Sequence, residues 1–322
     1  MIVDIEDVRD EFSYASAAPE AVHTFLAYVY EHWAHPPRYV TLIGDGSFDY
    51  KDYLAYGAPL LPAELVATPD GLFPSDNALA DVVGDDGVPE FALGRIPVID
   101  SAELNTYIDK LIAYESAHDT EKNVTVVTDQ PDWRAGDFLA SADGISSIIP
   151  DDFPVNRLDT AVLGYNETNR QVLEIMQGNG GILHYIGHSA LTGYGKGRAL
   201  LSIDDIEDLN PVGQPLLMVS MACSSAFFGY PPMNSLGETA VLKADGAAVG
   251  FFGATGLSRN YLADILAEGF YSSLFDSENR RLGDAVLQAK QHYFNVKQGE
   301  KRYTLDIYNL LGDSALLIPG KQ

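Results

Sequence analysis

A histidine and a cysteine each follow an apolar segment that has the length and composition of a buried strand. His188 comes at the end of the apolar part of "GGILHYIGHSA", and Cys223, the only cysteine of the chain, does the same in "PLLMVSMACSSAFF". A thiol becomes a nucleophile when a neighbouring base or cation favours the thiolate, and imidazole is a common base. The two segments therefore predict nucleophilic catalysis, provided that folding brings the sulfur and the imidazole together.

Small residues flank both side chains, among them Gly187 before the histidine and Ser224 after the cysteine. They leave backbone N–H groups accessible, as an oxyanion hole requires. The alternative interpretation is a small core cysteine, because a cysteine in an apolar strand is most often simply buried. His184 lies inside the first strand, on the same face as His188 by alternation, and is predicted to be a structural histidine.

Strands and helices alternate along the chain. Strands are predicted at 38–44, 91–98, 124–129, 181–187, 215–222 and 247–255, and helices at 19–33, 101–117, 168–178, 235–246, 261–275 and 282–294. Continuous apolar strands between helices predict an α/β fold with a mostly parallel sheet covered on both faces. Ligands of such sheets bind beyond the carboxyl ends of the strands, where both candidate side chains are expected.

Three of the helices carry start signals. Ser101 is the predicted N-cap of one helix. Thr168 with Gln171, and Ser235 with Glu238, have the spacing of a capping box, in which two side chains satisfy free backbone N–H groups of the first turn.

A polar stretch, "HDTEKN" at 118–123, interrupts the alternation somewhat more than a third of the way along the chain. It predicts two α/β subdomains, an N-terminal one at 1–120 and a C-terminal one at 121–322 that carries His188 and Cys223. One continuous domain is the alternative.

The chain is strongly acidic, with 20 Lys and Arg against 46 Asp and Glu and a net charge of −26. Such a surface is expected to repel nucleic acid and anionic membranes, which are bound through Lys and Arg. A solvated acidic surface, adaptation to salty surroundings and carboxylate sites for structural calcium are three explanations of the charge. We find no apolar run of membrane-spanning length and no signal core, so the chain is either cytosolic or part of a longer secreted protein.

Five segments in a fixed order resemble the gingipain family of cysteine peptidases, relatives of the caspases. They are "YVTLIGDGSFDYKDY", "PSDNALADVVGDDGVPEFALGRIPV", "ILHYIGHSA" with "LLMVSMACSSAFF", "AAVGFFGATGLS" and "YNLLGDSALLIP". The resemblance extends over about residues 1–320 and implies a caspase-like α/β fold in two subdomains. It also implies a cysteine endopeptidase.

The resemblance assigns roles to individual residues. Cys223 corresponds to the nucleophile and His188 to its partner, and the backbone N–H groups of Ser189 and Cys223 correspond to the oxyanion hole. The family's third residue, an acid that orients the histidine, corresponds to Asp129 at the end of "VTVVTD". An ordinary turn aspartate is the alternative for that position.

Arginine-specific members of the family place an acid in the pocket for the residue before the scissile bond. Asp137 is the best match, with Asp132 and Asp143 as rivals, and a solvated loop charge is the alternative. The far wall of the pocket corresponds to Ser258, Asn260 and Tyr261. The resemblance therefore implies cleavage after Arg or Lys, since a buried carboxylate binds these cations through charge-assisted hydrogen bonds.

Two other functions stay open for the same residues. Some relatives are surface transpeptidases, in which an amine replaces water, and an inactive pseudopeptidase scaffold is the non-enzyme alternative. The family also implies a polypeptide substrate, secretion or a cell-surface location, and a propeptide or C-terminal domains outside this sequence. No cofactor is expected for the chemistry. Structural calcium is an expectation from the family, with a simple turn as the alternative for the acidic segment Asp76, Asp81, Asp85 and Asp86.

Overall fold

A single eight-stranded sheet forms the centre of the computed structural model, which describes residues 1–117, 122–178, 180–210, 213–276 and 281–318. The strands are β1 Tyr39–Ile43, β2 Leu65–Thr68, β3 Gly71–Pro74, β4 Ala92–Ile96, β5 Val124–Thr128, β6 Val155–Asp159, β7 Ile182–Ile186, β8 Ser189–Ala190, β9 Gly193–Tyr194, β10 Leu201–Ser202, β11 Leu216–Met221, β12 Ala248–Ala254 and β13 Tyr308–Gly312. The helices are α1 Ile5–Ser13, α2 Glu20–His32, α3 Asn77–Ala80, α4 Ser101–Ser116, α5 Phe138–Ile148, α6 Thr160–Leu163, α7 Tyr165–Met176, α8 Ile203–Glu207, α9 Leu236–Leu242, α10 Asn260–Asp276, α11 Leu282–Lys297 and α12 Tyr303–Ile307, with a 3₁₀ turn at Lys196–Arg198.

The central sheet has the order β1-β4-β13-β12-β11-β7-β5-β6. All its neighbouring strands are parallel except β12 and β13, which pair antiparallel. The predicted α/β fold with a mostly parallel sheet is therefore confirmed. Because β1, β4 and β13 run against the other five strands, the carboxyl ends of β1 and β4 lie at the opposite edge from those of β7 and β11.

Helices cover both faces of the sheet, as the continuous apolar strands predicted. Every residue of β4, β5, β7, β11, β12 and β13 is buried. Alternate strand residues pack against α5, α10 and α11 on one face and against α4, α7, α8 and α9 on the other. A third, smaller cluster joins α2 to the β1 side of the sheet. Each strand end is therefore held between two helical layers.

The helix starts agree with the sequence in one of three cases. The Ser235–Glu238 capping box is present at α9. Helix α4 is capped by Asp100 rather than Ser101, since the Asp100 carboxylate accepts from the backbone N–H groups of Ala102 and Glu103. The Thr168 capping box is wrong, because α7 already begins at Tyr165 and the Thr168 hydroxyl donates to the backbone carbonyl of Gly164.

The division into subdomains at 1–120 and 121–322 stays a prediction. Residues 118–121 of the polar stretch on which it was based lie outside the described residues. The central sheet contains strands from both ranges.

Candidate active site

The two candidate catalytic residues follow neighbouring strands at the same edge of the sheet. Strands β7 and β11 are parallel, and their last residues, Ile186 and Met221, are directly paired. His188 and Cys223 each lie two positions beyond that pair. The parallel register therefore brings the two residue types to one edge, although 35 positions separate them in the sequence.

Cys223 lies in a turn that is hydrogen-bonded to the segment after β12. Its Sγ lies 3.6 Å from the backbone carbonyl of Ser258, and the next backbone N–H, of Ser224, donates to Gly256 at 2.9 Å. Ser224 adopts a left-handed φ of 51°, a conformation that is costly for a residue with a Cβ and is often found at functional sites. The thiol is half-buried, and burial raises its pKa.

The imidazole of His188 contacts an acid that lies three positions beyond Asp129. Nε2 is 3.1 Å from Oδ2 of Asp132, and the ring of Phe138 packs edge-on at 5.6 Å between centroids. Nδ1 has no hydrogen-bond partner among the described residues. The backbone N–H of Arg134 lowers the pKa of Asp132, and the His188 ring adds to that effect. Asp132 therefore stays ionised and fixes the ring.

The carboxylate of Asp129 contacts the backbone of the histidine rather than its ring. Its own N–H donates to Ile186, so its side chain is held against the turn after β7 rather than beside the ring. The buried carboxylate accepts from the backbone N–H of His188 at 3.1 Å and of Gln130 at 2.7 Å, and from the Tyr165 hydroxyl at 2.7 Å. Asp129 therefore holds the backbone of the histidine, and no hydrogen bond joins it to the imidazole among the described residues.

Two backbone N–H groups beside the candidate nucleophile are not used by the fold. Ser189 faces Tyr194 across the β8–β9 pair, where Gly195 donates to the His188 carbonyl. Ser189 thus occupies a non-hydrogen-bonded position of the ladder, and its N–H is left free by the strand pairing. Within the described ranges, the Cys223 N–H also donates to no acceptor. These are the two groups that the resemblance assigned to an oxyanion hole.

A groove of about 560 Å³ lies between α5 and the N-terminal half of α10. It brings together three of the four predicted substrate-binding residues, Asp137, Asn260 and Tyr261. The fourth, Ser258, does not line it: the Ser258 carbonyl faces the Cys223 sulfur and the hydroxyl lies 2.8 Å from the Tyr308 hydroxyl. Of the residues predicted for the far wall of the pocket, Ser258 therefore contacts Cys223, whereas Asn260 and Tyr261 line the groove.

The acids considered for the substrate pocket have different surroundings. Asp137 is exposed and caps α5 through the N–H of Ala140. Its rival Asp132 binds the histidine, and Asp143 forms an ion pair with Arg157. The groove also contains Asp264, which sequence reasoning missed, although its spacing four positions after Asn260 places it on the same face of a helix.

His184 and the acidic segment 76–86 have structural contacts. His184 is fully buried, with Nδ1 3.1 Å from the Tyr271 hydroxyl, and burial lowers its pKa to about 3. The acids of 76–86 bind Arg95, Arg302 and backbone N–H groups rather than converging on one point. In the part of the chain that the structure describes, no group of three or more metal-ligating side chains is placed to hold an ion. These residues do not fit a calcium site.

An α/β sheet with a cysteine and a histidine at one strand edge is the arrangement of caspase-like cysteine peptidases. The family model of peptidase family C25 matches residues 1–319, and the chain belongs to this family. The resemblance to gingipains is thereby confirmed, and the protein is a cysteine-type endopeptidase that acts on polypeptides. The comparison with curated proteins finds no significant match.

Solved peptidase structures share the fold. The crystal structure of the Arg-specific cysteine proteinase gingipain R (RgpB) has a TM-score of 0.78 at 19% identity, covering 97% of this chain and 70% of that one. A complex of RgpB pro- and mature domains from Porphyromonas gingivalis has a TM-score of 0.78 at 18% identity, covering 98% and 77%. Another protease structure gives 0.72 at 15% identity, covering 95% and 71%. None of the helices in the described ranges has the length and apolar character to cross a membrane.

Proposed function

We propose that this peptidase uses Cys223 and His188 as a catalytic dyad and cleaves after Arg or Lys. The observation that carries the dyad is the pairing of Ile186 with Met221, which brings the two residues to one edge. The Asp132 contact orients the ring, and the unused N–H groups of Ser189 and Cys223 supply an oxyanion hole.

The reaction follows from these groups. The Cys223 sulfur gives its proton to His188 and bonds to the carbonyl carbon. The carbonyl oxygen then carries the negative charge, held by the Ser189 and Cys223 N–H groups, each worth about 3 kcal/mol if it behaves like other such donors. The C–N bond breaks as His188 returns its proton to the leaving amine. Water, deprotonated by His188, hydrolyses the thioester and releases the thiol.

This chemistry needs no cofactor, since every bond change uses protein side chains and water. No residue of the described chain is assigned to calcium in this proposal. The acidic groove between α5 and α10 supports a preference for basic side chains, as does the Arg specificity stated for the structurally similar gingipain R.

We also propose secretion or a cell-surface location, which the family resemblance supports. The similar structure of paired pro- and mature domains supports a propeptide as a partner. The net charge of −26 argues against nucleic acid as a ligand.

A fluorogenic peptide library, varied at the residue before the cut, tests the function. We expect hydrolysis after Arg or Lys by the wild type and none by Cys223→Ala. Preference for Asp, Leu or small residues would overturn the specificity and leave the dyad. A Cys223→Ala variant as active as the wild type would overturn the dyad.

Added amine nucleophiles distinguish hydrolysis from transpeptidation. Hydrolysis as the main outcome in the presence of a millimolar peptide amine supports the peptidase. A dominant aminolysis product would identify a transpeptidase with the same dyad. A wild type that cleaves no peptide and whose Cys223 resists alkylation would identify an inactive scaffold.

A further inference from the structure

The peptide group between His188 and Ser189 is held at its carbonyl and free at its N–H. The N–H, which belongs to Ser189, is one of the two groups that we propose for the oxyanion hole. The carbonyl, which belongs to His188, accepts from the Tyr185 hydroxyl at 2.6 Å and from the Gly195 N–H at 2.9 Å. This trans peptide group is planar, with its N–H and C=O pointing in opposite directions. The donors that hold the carbonyl therefore also set the direction of the N–H.

Tyr185 is a residue of β7 whose position is fixed by packing. Only 1% of it is exposed, and its ring stacks on the ring of Tyr194 at 3.9 Å between centroids. The hydroxyl also accepts from the Gly195 N–H at 3.0 Å, which joins β7 to the residue after β9. Burial raises the pKa of Tyr185 well above its ordinary value, so the hydroxyl keeps the proton that it donates. Tyr185 is therefore a permanent donor to the His188 carbonyl.

Gly187 allows the tyrosine hydroxyl to lie this close to the backbone of the histidine. A Cβ added at Gly187 would collide with the Tyr185 hydroxyl and with the Cβ of Asp129. Asp129 accepts from the N–H of His188 at 3.1 Å, so it binds the peptide group before that residue, whereas Tyr185 binds the one after it. Only the second peptide group carries a proposed oxyanion donor. The two side chains therefore have separable roles.

We infer that Tyr185 is a positioning residue for the oxyanion hole, because its hydroxyl fixes the peptide group that carries the Ser189 N–H. This inference rests on the proposed dyad and oxyanion hole. Such a donor stabilises the transition state only if it lies at hydrogen-bond distance from the place where the charged oxygen forms. Hydrogen bonds accepted by the carbonyl also polarise the peptide group and strengthen its N–H as a donor. Loss of the hydroxyl should therefore weaken oxyanion stabilisation and leave the dyad in place.

Steady-state kinetics of Tyr185→Phe test the inference, since this variant keeps the buried ring and removes only the hydroxyl. With a peptide that the wild type cleaves, we expect kcat to fall at least about tenfold, which is part of the effect of losing an oxyanion donor outright. KM should change less than about threefold, because the interaction is made only in the transition state. Equal unfolding midpoints of the variant and the wild type exclude a general loss of structure as the cause.

Tyr194→Phe is the matched control. Tyr194 is as buried as Tyr185, and its hydroxyl donates to no carbonyl among the described residues. Its kcat should stay within about threefold of the wild-type value. An equal loss of kcat in both variants, or a kcat of Tyr185→Phe within about threefold of the wild type, would overturn the inference while the peptidase stands.

Alkylation by iodoacetamide separates the oxyanion hole from the dyad. The Cys223 sulfur displaces iodide from a saturated carbon, so no oxyanion forms, and the rate depends on the thiolate. Tyr185→Phe should therefore alkylate within about twofold of the wild-type rate. Both limbs of the pH profile of kcat/KM should also stay in place, because they report the ionisation of the free enzyme. An equal loss of alkylation and hydrolysis would show that the variant disturbs the dyad, and would overturn the inference.

A nuclear magnetic resonance measurement tests the positioning without catalysis. The sequence contains one His–Ser pair, so His labelled with ¹³C at the carbonyl and Ser labelled with ¹⁵N give a single correlated signal from the His188–Ser189 peptide group. In Tyr185→Phe both nuclei should shift to lower frequency, because the carbonyl loses a donor and the peptide group is less polarised. Shifts no larger than those in Tyr194→Phe would overturn the inference. If the wild type cleaves no peptide, the proposed function fails on that result alone, and this signal still decides whether Tyr185 holds the peptide group.

Discussion

Two regions of the molecule bury acids in opposite ways. Beneath β4 and β13, Asp76 accepts two hydrogen bonds from the guanidinium of the fully buried Arg95, at 2.8 and 2.7 Å. The nearby ammonium of Lys290 is surrounded by carbonyl oxygens of Asn77, Leu305 and Tyr308. In the groove, Asp264 has hydroxyl and amide donors but no cation.

The difference separates a structural use of charge from a functional one. A buried acid with an internal cation contributes to one specific packing, whereas a half-buried acid without one lowers stability until a ligand supplies the cation. Such a cost is common at binding sites. The paired network beneath β4 therefore serves the fold, whereas the groove is the surface that we propose for the substrate.

The largest expected effect breaks the paired network. Arg95→Met leaves Asp76 buried without its cation and should lower the free energy of unfolding by about 3 to 5 kcal/mol. Urea unfolding measures the change. Arg95→Met/Asp76→Leu should recover most of the loss, because it removes both charges. A single variant as stable as the wild type would contradict the structural role of the pair.

The same contrast recurs beside the histidine, between the buried Asp129 and the partly exposed Asp132. Asp132→Asn should lower kcat about 10- to 100-fold, part of what general acid–base catalysis contributes, without changing stability. Asp129→Ala should lower the free energy of unfolding by about 1 to 3 kcal/mol, because it leaves the His188 N–H and the Tyr165 hydroxyl without their acceptor. Steady-state kinetics and urea unfolding separate the two effects. A loss of kcat in Asp129→Ala and a loss of stability in Asp132→Asn would instead assign the orienting role to Asp129.

Stability as a function of pH sharpens the comparison at the groove. The pKa of Asp264 is about 6 in the folded chain against an ordinary value of 3.8, so the folded state holds more protons between these pH values. The ionised carboxyl therefore reduces stability as pH rises from about 4 to 6, and Asp264→Asn should stabilise the protein at pH 7 by about 1 to 2 kcal/mol after allowance for solvent screening. The other groove acids, Asp137 and Glu268, face the same space and remain in the variant.

Unfolding midpoints at pH 4 and pH 7 check this prediction. The gain in Asp264→Asn should be largest at pH 7 and small at pH 4. A variant that is less stable than the wild type at pH 7 would show that Asp264 belongs with the structural acids.

The smallest expected effect concerns a paired ion at the rim of the cleft. Arg259 contacts Asp70 at 2.8 Å. Burial raises the pKa of the Cys223 thiol and the hydrogen bond to the Ser258 carbonyl lowers it; of the two charges, which act next, Arg259 lowers this pKa and Asp70 raises it. Arg259→Gln should slow the alkylation of Cys223 by iodoacetamide at pH 7.5, and Asp70→Asn should accelerate it. Each rate should change by less than about tenfold. Both differences should shrink in 1 M salt. Changes of the same sign would contradict an electrostatic origin.

Much of the frame could be predicted from the chain alone. The apolar strands that precede His188 and Cys223 are β7 and β11, and the capping box of Ser235 and Glu238 is present. These features depend on local patterns, namely alternation, burial and a four-residue spacing. The direction of β13 and its antiparallel pairing with β12 carry no local signal, since they result from how distant segments meet.

The sequence alone could not predict which acids contact the histidine ring and line the groove. Asp129 follows its strand immediately and resembles the family's orienting acid, yet the turn from Asp132 to Gly136 brings Asp132 to the ring. The position of Asp137 in the chain predicts it for the pocket, whereas Asp264 enters the groove from a helix more than 100 positions later. The spacing of residues along the sequence cannot predict such tertiary contacts, because they depend on how distant segments pack together.

Active-site labelling followed by intact-mass and peptide mass spectrometry tests the central claim most directly, that Cys223 and His188 act together at one sheet edge. An arginyl chloromethyl ketone should add once, at Cys223, and should block subsequent labelling by iodoacetamide. His188→Ala should slow the addition of the ketone strongly while the variant stays folded. Addition at another residue, or an unchanged rate in His188→Ala, would contradict the account.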